Sequence, residues 1–349
     1  MERSEKREQS IKTDRYIFQS LHKEIFFFGL PVLLTIILFL LPLKTEQWIM
    51  GIPFIYIGLQ MIDSGHIWPS FIVAFSLKKY KWLLRSIPFF IFSLYVFIGF
   101  YYGKLGIYRA HAFLAAIHFV RQQYGFYKYS SNINKPPKPC FQQIEIAALY
   151  VITITSLISR MANGSMWMRQ YDLIKIPDFF STPSLVLFCL AVVIYSISIL
   201  YQWRVYSHFS KSKFIIFSST TIAWGTIGFT GFPLIALFPL FHDLPYLALV
   251  YSYPISAFDK YKSFMAGLFK SYKVIGFIVF LCVTIYFGIR LEGYLFKHFD
   301  YGVDPNTSEI LLVVFCAIAF LPTTSHYLID AIIWRKDALP KSILDKTDR

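Results

Sequence analysis

Ten stretches of this chain are apolar over the length a helix needs to cross about 30 Å of hydrocarbon, some 20 residues each. They cover residues 25–43, 47–67, 87–103, 105–126, 143–162, 183–203, 213–231, 233–254, 273–291 and 309–334. A backbone in lipid must satisfy its own N–H and C=O groups, which leaves helices and closed barrels. Runs this long, with no strict alternation of polar and apolar residues, predict helices. The expected fold class is all-α, a polytopic transmembrane helical bundle of about ten spans. Residues 25–334 form a single transmembrane domain between a basic tail, 1–24, and a C-terminal tail, 335–349. Composition agrees: 56% of residues are apolar and 15% charged, against about 25% charged in soluble domains. The first tail is too charged and too long to resemble a cleaved leader. Two boundaries require a long apolar stretch to be cut, one at Gly103 to Gly106 and one at Gly231-Phe232-Pro233.

The net charge of +14 would point to nucleic acid in a soluble protein. Here the cations segregate by side. Summed over alternate connections, Lys and Arg number 26 with the two termini and 8 on the opposite side. Cytoplasmic loops carry that excess, so both termini are expected in the cytoplasm, the lipid bilayer is the partner, and nucleic acid is not. The expected localisation is that of an integral, multi-pass protein, in a bacterial inner (cytoplasmic) membrane. Cys140, Cys189, Cys282 and Cys316 are far apart and form no CxxC pair, which removes zinc-ribbon and thioredoxin-type sites.

Histidine placement carries the most chemistry. His22, His208 and His298 fall in the tail or loops, whereas His66, His111, His118, His242 and His326 fall within predicted spans two, four, eight and ten. All four spans run from outside to inside. His66, His118 and His326 come late in them, near the cytoplasmic leaflet, and His242 lies closer to mid-depth. Ionisable residues within spans are rare and generally face the interior. Asp63 precedes His66 by three residues and Asp330 follows His326 by four, spacings that share a helical face. Gln122 stands four after His118 and Tyr246 four after His242. Each imidazole thus has a nearby group able to take its second N–H, as metal-bound histidines require. Interhelical hydrogen bonding without any chemistry is the plainer reading of the same residues.

Several imidazoles with carboxylates and no thiolate suit non-haem iron, with zinc, manganese or haem as the other candidates. His66, His118, His242 and His326 are the expected ligands. Asp63, Asp330 and Tyr246 are the expected catalytic groups, and His111, Gln122 and Arg121 would line the cofactor's cavity. Arg121 has a second reading, as a side chain reaching for the interface. Glu145, Glu292 and Glu309 lie near predicted helix ends and are expected to be solvated. No Walker loop, GxGxxG, GxSxG or HExxH motif occurs, which disfavours nucleotide-driven transport and zincin-type proteolysis.

The segments Asp63-Ser-Gly-His66, His118-Phe-Val-Arg121-Gln122-Gln123-Tyr124-Gly125, Phe241-His242-Asp-Leu-Pro-Tyr246-Leu and His326-Tyr-Leu-Ile-Asp330-Ala-Ile-Ile-Trp334 resemble those of multi-pass bacterial membrane proteins with single histidines on several helices. In layout the chain is similar to the bacterial carotenoid-cleaving membrane oxygenases. That resemblance implies iron held by histidines from several helices. The clustered HxxxH and HxxHH boxes of membrane desaturases are absent, as are the same-helix histidine pairs of bis-histidine haem proteins. The expected function is therefore a membrane-bound, metal-dependent oxidoreductase acting on a hydrophobic or lipid substrate, served by an electron donor. A proton-coupled transporter using the Asp and His residues as a relay is the alternative.

Overall fold

A computed structural model describes residues 14–18, 20–40, 62–63, 65–71, 74, 81–164, 173–229, 238–252, 278–279, 282–283, 286 and 309–333. Among the described residues there is no strand. Helix α1 is continuous through Leu21–Glu24, a π-helical turn Ile25–Gly29, and Leu30–Leu40. The helical residues 62–63, 65–71 and 74 are α2. Then follow α3 (Lys81–Ile133), α4 (Pro139–Asn163), α5 (Ser181–Tyr206), α6 (Lys211–Phe229), α7 (Phe238–Ser252) and α8 (Glu309–Ile333).

Among the described residues, four segments are long and apolar enough to cross a membrane: Trp82–Ile133, Pro139–Asn163, Asp178–Tyr206 and Glu309–Ile333. Their packing is that of a protein in lipid. On α5 the buried face consists of Ser184, Ala191, Tyr195, Ser198, Ile199 and Gln202, while Leu190, Val193, Ile194 and Ile197 are each at least half exposed. Large apolar side chains face outward and small or polar ones face the neighbouring helices, as membrane interfaces favour. The chain is an integral membrane protein.

The 53 residues of α3 are not one rod. Gly103 has φ of 63° and ψ of −172°, a conformation that L side chains rarely adopt and glycine adopts freely. The chain folds back there. The Tyr95 hydroxyl reaches His111 Nδ1 at 3.4 Å, although 16 residues of straight helix would separate them by about 24 Å. Residues 81–102 and 104–133 are therefore two antiparallel arms, cut where the sequence demands a turn. The other expected cut, at Gly231-Phe232-Pro233, lies outside the described residues.

Helix α8 lies along this hairpin, and α4 packs on α5 and α6. A methyl group on Gly228 would stand 2.7 Å from Ser156 Cα, so glycine sets the approach of α6 to α4. Ser159 Oγ donates to the Gly228 carbonyl at 2.9 Å across that contact.

Residues 14–18 tie the ends of these helices together. Arg15 N–H donates to Asn134 Oδ1 at 2.9 Å, and Asn134 Nδ2 donates back to the Arg15 carbonyl at 2.7 Å. The Asp14 carboxylate accepts from Ser210 Oγ at 3.0 Å and from the Lys211 N–H at 2.5 Å, capping α6 at its positive end.

One expectation is overturned. Glu145 is not solvated but wholly buried. It accepts from Lys213 Nζ at 3.0 and 3.1 Å, from Tyr127 Oη at 2.8 Å and from Gln202 Nε2 at 2.7 Å. Lys213, equally buried, supplies the countercharge that makes burial tolerable. Its position near a predicted helix end gave no hint of a partner 68 residues away.

Candidate metal centre

Four elements distant in sequence bring the expected ligands together. Helix α2 carries His66, the second arm of α3 carries His118, α7 carries His242 and α8 carries His326. All four are buried. Their rings form a closed quadrilateral: His66 to His242 at 5.0 Å, His242 to His118 at 5.0 Å, His118 to His326 at 4.9 Å and His326 to His66 at 4.8 Å between centroids. Neighbouring planes meet at 66–84°. Phe119 stands against His242 at 4.3 Å, and Tyr327 stacks on His118 at 4.5 Å, so the walls are aromatic.

Hydrogen bonding fixes the tautomer of two rings. Nδ1 of His66 bonds to the Asp63 carbonyl, which can only accept, so Nδ1 carries the proton and neutral Nε2 is left with a lone pair. His66 Nδ1 also lies 3.1 Å from Asp243 Oδ1 and 3.8 Å from Asp63 Oδ1. Around His326 the direction follows by elimination. Tyr246 Oη donates to Asp330 Oδ1 at 2.8 Å, so it accepts from Ser70 Oγ. Ser70 Oγ in turn accepts from His326 Nδ1 at 2.6 Å. The chain His326 to Ser70 to Tyr246 to Asp330 therefore leaves His326 Nε2 with its lone pair.

Nε2 of His66, His118 and His326 and both ring nitrogens of His242 are buried without a hydrogen-bond partner. A buried polar atom left unsatisfied costs about 1–3 kcal/mol, and here five such atoms stand on the four rings. A cation bound to one nitrogen of each ring would relieve that cost. A bound imidazole has its centroid ~3.2 Å from an ion when the metal–nitrogen bond is ~2.1 Å, which puts two rings ~4.6 Å apart at a right angle and ~5.3 Å apart at the tetrahedral angle. The four observed edges fall between. Among the described residues, three groups offer ligand atoms within 4.8 Å of one another: His66, His242 and His326; His118, His326 and Asp330; and Asp63, His66 and Asp243.

The remaining expected residues occupy outer positions. His111 Nδ1 bonds Thr324 Oγ1 at 2.9 Å, and its ring lies 5.8 Å from Tyr327, on the far side of that tyrosine from His118. Gln122 does not serve its own helix's His118. Its Nε2 donates to the His242 carbonyl at 3.3 Å and so fixes α7. Tyr246 likewise serves the Asp330 and Ser70 chain instead of His242. Arg121 is exposed.

Two participants were missed from sequence. Ser70 is one turn after His66, a spacing that could have identified it. Asp243 adjoins His242 and is fully buried; a carboxylate inside an apolar run was its signal. Neither a protein-family model, nor a curated protein, nor a solved structure matches the chain.

Proposed function

We propose that this chain is an integral-membrane, metal-dependent oxidoreductase acting on a hydrophobic substrate, with non-haem iron held by His66, His118, His242 and His326. The observation that carries this reading is the closed ring of four buried imidazoles, each with at least one nitrogen that has no hydrogen-bond partner. Nitrogen donors with carboxylates at hand and no thiolate favour iron over zinc or manganese. Bound there, iron would activate dioxygen for oxygen insertion, cleavage or desaturation; insertion of one oxygen atom, or desaturation, further requires two electrons from an external donor. Asp63 and the Ser70, Tyr246 and Asp330 chain hold His66 and His326 in the tautomer that binds metal. The reading includes about ten spans and cytoplasmic termini in a bacterial inner membrane, supported by the segregation of Lys and Arg.

Elemental analysis of the purified protein tests it. One equivalent of iron, lost in His118→Ala and His242→Ala, is the expected result; metal-free protein that keeps its cellular activity would overturn it. The hydrogen-bonded chain from His326 to Asp330 also favours a second reading, a proton-coupled transporter with these groups as relay. Substrate flux in vesicles whose pH dependence disappears in Asp330→Asn, without bound metal, would decide for transport.

A further inference from the structure

We infer that a cleft beside α8 receives a single-chain amphiphile with an anionic head, and that this class of molecule is the substrate of the four-histidine centre. The inference rests on the oxidoreductase reading and names its substrate. The cleft has a volume of about 380 Å³, within the roughly 300–1,000 Å³ of ligand sites. Its floor is Ala74, Leu84 and Ile329, all buried, its walls are Phe71 and Pro88, and its rim is exposed at Phe89 and Arg85. Among the described residues that line it, Arg85 alone is charged, so the cleft is an apolar trough with one cationic end.

The cleft adjoins the centre through covalent neighbours. Phe71 follows Ser70, whose Oγ accepts from His326. Ile329 is three residues after His326 on α8, close to the same face, and precedes Asp330. Depth can be read from the packing. Gly99 packs on Val313, and Leu84 and Arg85 share the cleft with Ile329, so the first arm of α3 and α8 run antiparallel with Arg85 level with Ile329; the long Tyr95 side chain reaches along the axis to the Thr324 hydroxyl at 2.6 Å. The Arg85 backbone then lies about three residues beyond His326 along the common axis, ~4.5 Å at 1.5 Å per residue. A head held at Arg85 would put the chain carbons nearest it at the depth of the histidine ring. Arg85 belongs to the cation-rich connection assigned to the cytoplasmic side, the depth at which an anionic headgroup sits and cationic side chains snorkel.

Photolabelling tests this on the whole protein in phosphatidylcholine nanodiscs, with a stearic acid bearing a diazirine a few carbons from its carboxyl group and its methyl ester as probes. The acid is expected to label peptides containing residues 68–74 and 326–333, at least fivefold more than the ester does. Arg85→Gln should reduce that labelling to the level of the ester, Arg85→Lys should retain it, and Ala74→Phe, which fills the floor, should abolish it. Equal labelling by acid and ester, indifference to Arg85→Gln, labelling spread along the outward face of α5, or displacement of the acid by phosphatidylglycerol would each overturn the inference. Iron content measured on the same samples separates the two proposals: variants that keep iron but lose label bear on the cleft alone, and wild-type protein that labels in the cleft but holds no iron refutes the centre instead.

Discussion

On the proposed reading, Tyr246 separates metal binding from the support of its ligands by a single oxygen atom. Its hydroxyl bonds Ser70 and Asp330 but lies outside the ring of nitrogens, so Tyr246→Phe should keep the four histidines in place while freeing the His326 tautomer. Outer partners of this kind are worth about 10–100-fold in metal affinity or activity. A loss of that size in an iron-binding titration, with unaltered helicity, is expected; iron affinity equal to wild type would show that the chain has no orienting role. At Lys213 the consequence is thermodynamic. Lys213→Met strands Glu145 in the bundle, and breaking such a pair costs about 3–5 kcal/mol. Unfolding in detergent should show that loss, most of it recovered when Glu145→Leu is added. The pairs Asp63 with His66 and Asp330 with His326 were legible because three- and four-residue spacing is a property of one helix. The partners of Glu145 were not, since they come from α3, α5 and α6.

Outside the spans, the junction of α1 with the segment 14–18 is a pH-sensitive element. Glu24 is buried, accepts from the Ile17 N–H, and its carboxyl is pushed up to about 7 by burial, from an ordinary value of 4.5. The folded chain holds a proton there that the unfolded chain releases near 4.5, so stability present below that value is lost as pH rises through about 7. The melting temperature in detergent is expected to fall over that window in the wild type and to be flatter in Glu24→Gln; parallel profiles would refute the assignment. Element boundaries were readable where glycine enforced them. The turn near Gly103 follows from a backbone conformation that other residues disfavour. That α6 approaches α4 at Gly228 was not readable, because it depends on which helices become neighbours.

At the scale of the whole molecule, the all-helical class was legible from the length of the apolar runs alone, and so was the choice of four histidines out of eight. Their order around the ring was not. His66 neighbours His242 and His326 while His118 closes the far side, an arrangement set by the packing of α2, α7 and α8 against the α3 hairpin. Because the centre exists only when four helices converge, its decisive test is a property that no single helix possesses. Extended X-ray absorption at the iron edge of the purified, iron-loaded protein counts imidazoles directly. The account predicts three to four nitrogen neighbours at ~2.1 Å, with the multiple-scattering pattern of histidine rings, and loss of that signal with the iron in His118→Ala. A first shell of oxygen or sulfur without that pattern, unchanged in His118→Ala, would contradict it.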